Sequence, residues 1–297
     1  MAIKPASISQ RWLPVATVLA LVLALWYGGA VGLNRAGAIE RVLPNSHPNG
    51  DWTVSDLARA TLNMERPVLP APHQVAADLY SSLVDWPLDS PRNLAYHLIV
   101  TAQSTLVGFV LGTLLGVVLA AAIVHSRTLD RALLPWIVAS QTVPVLAIAP
   151  IVLVILGSLG FSGLAPKAAI AMYLCFFPVT VAMVQGLRAP QRIETELMRT
   201  YAASRWQAFW LLRMPSALPY LFPSLRVAIA AGVVGAMVAE LPTGAQAGLG
   251  ARLLTGSYYG NTVGIWSALV MSALLGLGLT LAVAGVERLV LGRRRVS

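Results

Sequence analysis

The sequence predicts an all-α integral membrane protein with six transmembrane helices, and three observations carry that prediction. Hydrophobic residues make up 57% of the 297-residue chain and charged residues only 11%, against about a quarter charged in soluble domains. Mean hydropathy is +0.72. Apolar stretches near the roughly 20 residues that a bilayer crossing needs recur along the whole chain. Together these exclude a soluble enzyme, a disordered chain and a nucleic-acid-binding domain. The net charge of +9 does not restore a polyanion partner, because Lys and Arg collect in the cytoplasmic loops of membrane proteins. The single cysteine, Cys175, lies in an apolar run, so no disulfide framework or cysteine metal site is expected.

The first span is expected at 13–33, behind Lys4 and Arg11. It is too long for an ordinary signal-peptide core and lacks a clear small-residue cleavage site, so it reads as an uncleaved span. Residues 34–94 form a loop that carries all seven acids found before Asp130. Within it, Val75, Leu79, Leu83 and Val84 recur near a helical period, which predicts a short amphipathic helix at the membrane surface. The core, 95–291, holds five more spans at about 97–124, 132–158, 164–187, 217–240 and 262–291, and 292–297 is a short tail. With the N-terminus inside, fourteen Lys and Arg fall on the cytoplasmic side and seven outside. Both termini are therefore expected in the cytoplasm.

The longest cytoplasmic loop, 188–216, is the most informative stretch. Two acids, Glu194 and Glu196, open it; Leu197, Tyr201, Phe209 and Leu212 alternate with Arg199, Arg205 and Arg213; Pro215 is expected to stop it. Acids in the first turn suit the helix dipole, and Ser204 is placed to cap a second short helix. A helix–turn–helix against the membrane follows, with one apolar and one basic face. A plain interfacial loop helix would have the same composition.

The segment also resembles the EAA loop of ABC importer permeases: E-A-A, three residues, G, nine residues, then I-x-L-P. Glu196, Ala202, Leu212, Met214 and Pro215 fall on the pattern at every spacing, with Leu197 and Met198 in place of the two Ala. Further similarity lies in Leu69-Pro70-Ala71-Pro72-His73-Gln74-Val75, in Gln141-Thr142-Val143-Pro144 and in Pro219 to Arg226, all in the manner of the nitrate/sulfonate/taurine branch. The resemblance implies a type I ABC importer permease fold in a bacterial inner membrane. It also implies a permease homodimer, cytoplasmic ATPase subunits and a periplasmic substrate-binding protein. In such a complex the ATPase would be coupled through Glu196, Ala202, Ala203, Ser204, Arg205, Trp206, Phe209, Leu212 and Pro215, with Trp206 and Phe209 as groove anchors. This chain has no phosphate-binding G-x-x-x-x-G-K-[ST] loop, so ATP and Mg are expected on the partner and no cofactor or catalytic residue here.

A translocation path is expected beside the third and fifth spans. Pro144 and Pro150 interrupt the third, and free backbone groups at membrane depth need protein or water around them. Ser140, Gln141 and Thr142 flank the break; they either line a pore or bond helix to helix. Glu240 ends the fifth span before a Gly-rich stretch containing Gln246 and Arg252. An intramembrane acid is a functional candidate, with a structural Glu240–Arg252 ion pair as the other reading. Gly108, Gly112 and Gly116 share one helix face and predict a packing seam. The four histidines are too scattered for a metal site. The solute is expected to be small and polar, a sulfonate or a nitrogen heterocycle. Two rival classes are an intramembrane enzyme and a secondary transporter working without an ATPase; the second leaves the EAA-like loop unexplained.

Overall fold

The computed structural model describes residues 8–46, 50–242 and 247–292, and every element among them is helical. In order these are α1 Ile8–Gly37, a π-helical turn Ala38–Val42, α2 Leu43–Ser46, α3 Val54–Leu62, α4 Pro72–Val84, α5 Leu94–His125, α6 Arg127–Ser140, α7 Val145–Ser158, α8 Leu164–Arg188, α9 Arg192–Thr200, α10 Arg205–Ala208, a second π-helical turn Phe209–Arg213, α11 Met214–Glu240, α12 Leu249–Tyr259 and α13 Thr262–Gly292. Five stretches are long and apolar enough to cross a membrane, and α6 with α7, bent by 104° at their junction, add a sixth when the pair is counted as one broken span. The chain divides into two compact units, residues 1–87 with 253–268, and residues 88–252 with 269–297.

In the first unit the helix does not stop where the apolar run does. It continues from α1 through the π turn to Ser46, because Gly37 keeps right-handed helical angles; the expected boundary at 33 marks only a loss of hydropathy. Buried Asn34 then fastens the following segment. Its amide donates to the Thr61 and Leu69 carbonyls (3.2 and 2.9 Å) and its oxygen accepts from the Val68 and Leu69 N–H groups (2.8 and 3.1 Å). All four hydrogen-bonding positions of the side chain are thereby filled. Helix α3 was not anticipated, although its signal stands in the sequence: Thr53 and Asp56 form a reciprocal capping box. Helix α4 forms over the expected residues, with Val75 buried and Leu79 and Leu83 half-buried.

The second unit is built around α8, which lies between two lines of small residues. Cβ atoms added at Gly108, Gly112 and Gly116 of α5 would come within 2.5–2.9 Å of Ala171, Cys175 and the Phe176–Val179 turn. On the α11 side, Gly232 meets the Cys175 sulfur and Gly235 the backbone of Ala171. This is the expected seam, doubled: close backbone approach replaces the hydrophobic effect, which lipid does not supply between helices. At the end carrying Arg188, Ile123, Met183, Leu187 and Phe209 join one buried cluster. Two ion pairs brace the unit, Arg188–Asp130 at 2.9 Å and Arg226–Glu287 at 2.6 Å.

Candidate functional site

The loop after α8 is a helix pair whose turn is set by one residue. The Gln191 N–H donates to Glu194 (2.7 Å) at the start of α9, and Glu196 pairs with Arg192 one turn back (2.8 Å). At the far end the Ala202 N–H reaches Arg199 O and the Ala203 N–H reaches Met198 O, both at 2.9 Å. That is a Schellman closure, with Ala202 in the left-handed position at φ 52°, the only non-glycine with positive φ among the described residues. Its place is where the EAA pattern carries Gly. Ser204 follows as the cap of α10: its hydroxyl accepts from the Gln207 N–H (3.2 Å) while Gln207 accepts from the Ser204 N–H (2.8 Å).

Pro215 does not stop the helix. The π turn bonds the Met214 N–H to Phe209 O, and this wider register carries the chain into α11 past a residue with no N–H to donate. Phe209 is also not an exposed anchor. It is 6% exposed, packed 5.1 Å from the His125 ring, and so holds the loop to the spans. The exposed apolar face is instead Ile193, Leu197, Tyr201, Trp206, Trp210 and Leu211, of which Ile193, Trp210 and Leu211 were not singled out from sequence. No residue of α9 is buried. Ala203 and Leu212 are half-buried, and Arg205 is exposed.

The break between α6 and α7 falls at 141–144, with Pro144 capping α7. Pro150 lies inside α7 without ending it, so one proline, not two, makes the interruption. The Ser140 and Thr142 hydroxyls turn back onto the Ile137 and Ala139 carbonyls, each at 2.7 Å, and Tyr173 of α8 donates to Ser140 O at 2.5 Å. The freed carbonyls of the bend are thus partly met by hydroxyls. Gln141 is exposed.

Glu240 is fully buried, and its ion-pair partner is Lys167 at 3.6 Å, not Arg252. Arg252, half-buried, sits on the first turn of α12, while Lys167 reaches the carboxylate from the start of α8. Thr101 donates to both Glu240 oxygens (3.0 and 3.1 Å). Three successive backbone N–H groups at the start of α12 are then each taken by a different side chain. Gly248 donates to His97 Nδ1 (3.0 Å), Leu249 to the Thr101 hydroxyl (2.9 Å) and Gly250 to Glu240 (2.8 Å). Lys167 donates to Ala247 O (2.8 Å). His97 Nδ1 accepts, so Nε2 carries the hydrogen given to Pro91 O (2.8 Å). The carboxylate also lies where a helix N-terminus favours negative charge. The glycines are required: a Cβ on Gly248 (φ 128°) would fall on the carboxylate. Sequence reading found Glu240 and the glycines but not His97, Thr101 or Lys167, which lie on helices distant in the chain. Gln246 lies outside the described residues, and no metal-ligating cluster occurs among those described.

Comparison with known proteins places these features in context. The model of the family described as binding-protein-dependent transport system inner membrane component matches residues 112–296. The chain is 33% identical over 231 residues to the formylaminopyrimidine transport permease of Halalkalibacterium halodurans, covering 77% of this chain and 86% of that one. It is 32% identical to the riboflavin transport system permease of Chloroflexus aurantiacus, over 75% of this chain and 79% of that one. To the taurine transport system permease of Escherichia coli it is 26% identical, over 80% and 82%.

Proposed function

Because the chain belongs to the binding-protein-dependent inner-membrane components, the permease subunits of ABC importers in the sulfonate/taurine branch, we propose that it carries a planar nitrogen heterocycle inward by alternating access. The relatives at 33% and 32% identity are named for formylaminopyrimidine and riboflavin, those at 26% for taurine and aliphatic sulfonates; that ordering favours the heterocycle over the sulfonate. In this reading both termini face the cytoplasm, the permease pairs with a second copy, and a binding protein delivers solute from outside. ATP and Mg belong to a separate ATPase.

The observation that carries the coupling assignment is the capped helix pair 192–208. It leaves Leu197, Trp206 and Trp210 exposed on a loop whose inner end is held by Phe209. A short element with a fixed turn moves as a unit, which suits it to pass closure of an ATPase pair to the spans. The Arg192–Glu196 pair, fully on the surface, orients the outer side of α9 without anchoring it to the spans. The test is affinity purification of the tagged chain from native membranes. An ATPase with a phosphate loop is expected to accompany the wild type and to be lost from Leu197→Asp, a change at a position that the fold itself does not bury. An intact tagged chain that carries no ATPase would overturn the assignment and favour a secondary transporter.

A further inference from the structure

Beside the buried Glu240 cluster lies a cleft of about 730 Å³, within the 300–1,000 Å³ range of small-molecule sites. Helix α5 lines it with Tyr96, Val100 and Gln103; α7 and the turn after it contribute Gly157 and Phe161; Lys167 closes it from α8. The walls are mostly apolar, and two features depart from a lipid-filled groove. Gln103 is exposed within a membrane span, and its amide has no hydrogen-bond partner among the described residues. An amide facing hydrocarbon is strongly disfavoured, so the position calls for water or a polar ligand. The second feature is that the polar wall is held rigid from behind. Tyr96 stands edge-on to His97, ring centres 5.4 Å apart at 76°, and His97 is fixed by Gly248 and Pro91. Lys167 is fixed by Ala247 and Glu240.

Helix α5 therefore shows adjoining faces with different tasks: His97 and Thr101 bind the start of α12, while Tyr96, Val100 and Gln103 line the cleft. We propose that this cleft is a solute subsite for a planar nitrogen heterocycle, with the Gln103 amide meeting its polar edge and Tyr96 and Phe161 its ring faces. The chemistry fits that class. A primary amide presents a donor and an acceptor side by side, the complement of a ring nitrogen next to an exocyclic amine. Aromatic rings pack against other rings by offset stacking or edge-to-face contact. A sulfonate would ask for several converging donors, whereas the ammonium of Lys167 is already committed to Glu240 and Ala247. The inference rests on the permease reading and narrows it to one place and one ligand class.

Cysteine accessibility tests it without requiring transport. Cys175, the single native cysteine, is 0% exposed and gives a quiet background. Val100→Cys in the full chain, in membrane vesicles, is expected to react with a membrane-impermeant maleimide, whereas Val110→Cys on the same helix reacts only with a lipid-soluble one. Formylaminopyrimidine or riboflavin is expected to slow labelling at 100 at least about fivefold, an effect lost when Gln103→Leu is added, and taurine is expected to leave it unchanged. Labelling at 100 by the lipid-soluble reagent alone would show a lipid-filled groove and overturn the proposal. Equal labelling with and without both heterocycles, or protection by taurine alone, would overturn it as well. In each case co-purification of the ATPase is scored separately, so failure here leaves the permease assignment standing or fallen on its own evidence.

Discussion

Ala202 sits where the peptide backbone asks for glycine, and the chain accepts the strain. An L-residue in the left-handed region costs about 1–2 kcal/mol, and replacing it with Gly where φ is positive recovers part of that. Ala202→Gly is expected to firm the α9–α10 turn by about 1 kcal/mol, read as roughly fivefold slower hydrogen exchange at the Ala203 amide. Asn34 is the opposite case, a polar residue with every bonding position used. Asn34→Leu leaves four backbone groups of the 61–69 segment without their partner, and each buried orphan costs about 1–3 kcal/mol. Early trypsin cleavage at Arg59 or Arg66, with the spans intact, is the expected result. Both effects lie partly beyond the sequence. The EAA spacing marked Ala202 as special, and conformation supplied the reason; Asn34 stood at the end of an apolar run with nothing local to mark its partners 27 and 35 residues away.

Among the elements, the apolar runs were legible because a bilayer imposes both length and hydropathy. Their ends were less so. The continuous helix of α1, the π turn and α2 outlasts its apolar run and reaches Ser46, and α11 begins inside the loop through a π turn that no periodicity announces. The glycine spacing of α5 was legible, and its packing consequence is specific. Gly112→Ala places a methyl 2.6 Å from Cys175 Cβ and 2.8 Å from Met172 O, so α5 and α8 must separate, at about 1–3 kcal/mol. Gly276→Ala in α13 meets nothing within 4 Å and serves as the matched control. Thermal unfolding in detergent is expected to fall for the first and not for the second. The charged cluster was half legible: an acid at the end of α11 was visible, its cation was not. Glu240→Leu strands Lys167 as a buried charge, a loss of about 3–5 kcal/mol, and Glu240→Leu with Lys167→Met is expected to recover much of it.

For the whole molecule, the chain is a permease subunit whose proposed coupling loop and proposed solute subsite lie at opposite ends of the same helices. Helix α8 links them directly, with Lys167 at one end and Arg188, where the loop starts, at the other. Reconstituted with its ATPase and binding protein, the complex is expected to take up solute only with ATP. Leu197→Asp is expected to cut uptake at least about thirtyfold, the equivalent of one interface hot spot, while the thermal stability of the permease stays unchanged. The arrangement around Glu240 also sets an order of events during biosynthesis. Lys167 is made 80 residues before the carbonyl of Ala247 that receives it. At about 5–20 residues per second that interval is roughly 4–16 s. Through it the nascent helix carries an uncompensated ammonium beside the lipid, and whatever holds the early spans at the insertion site must shelter that charge until the fifth one arrives.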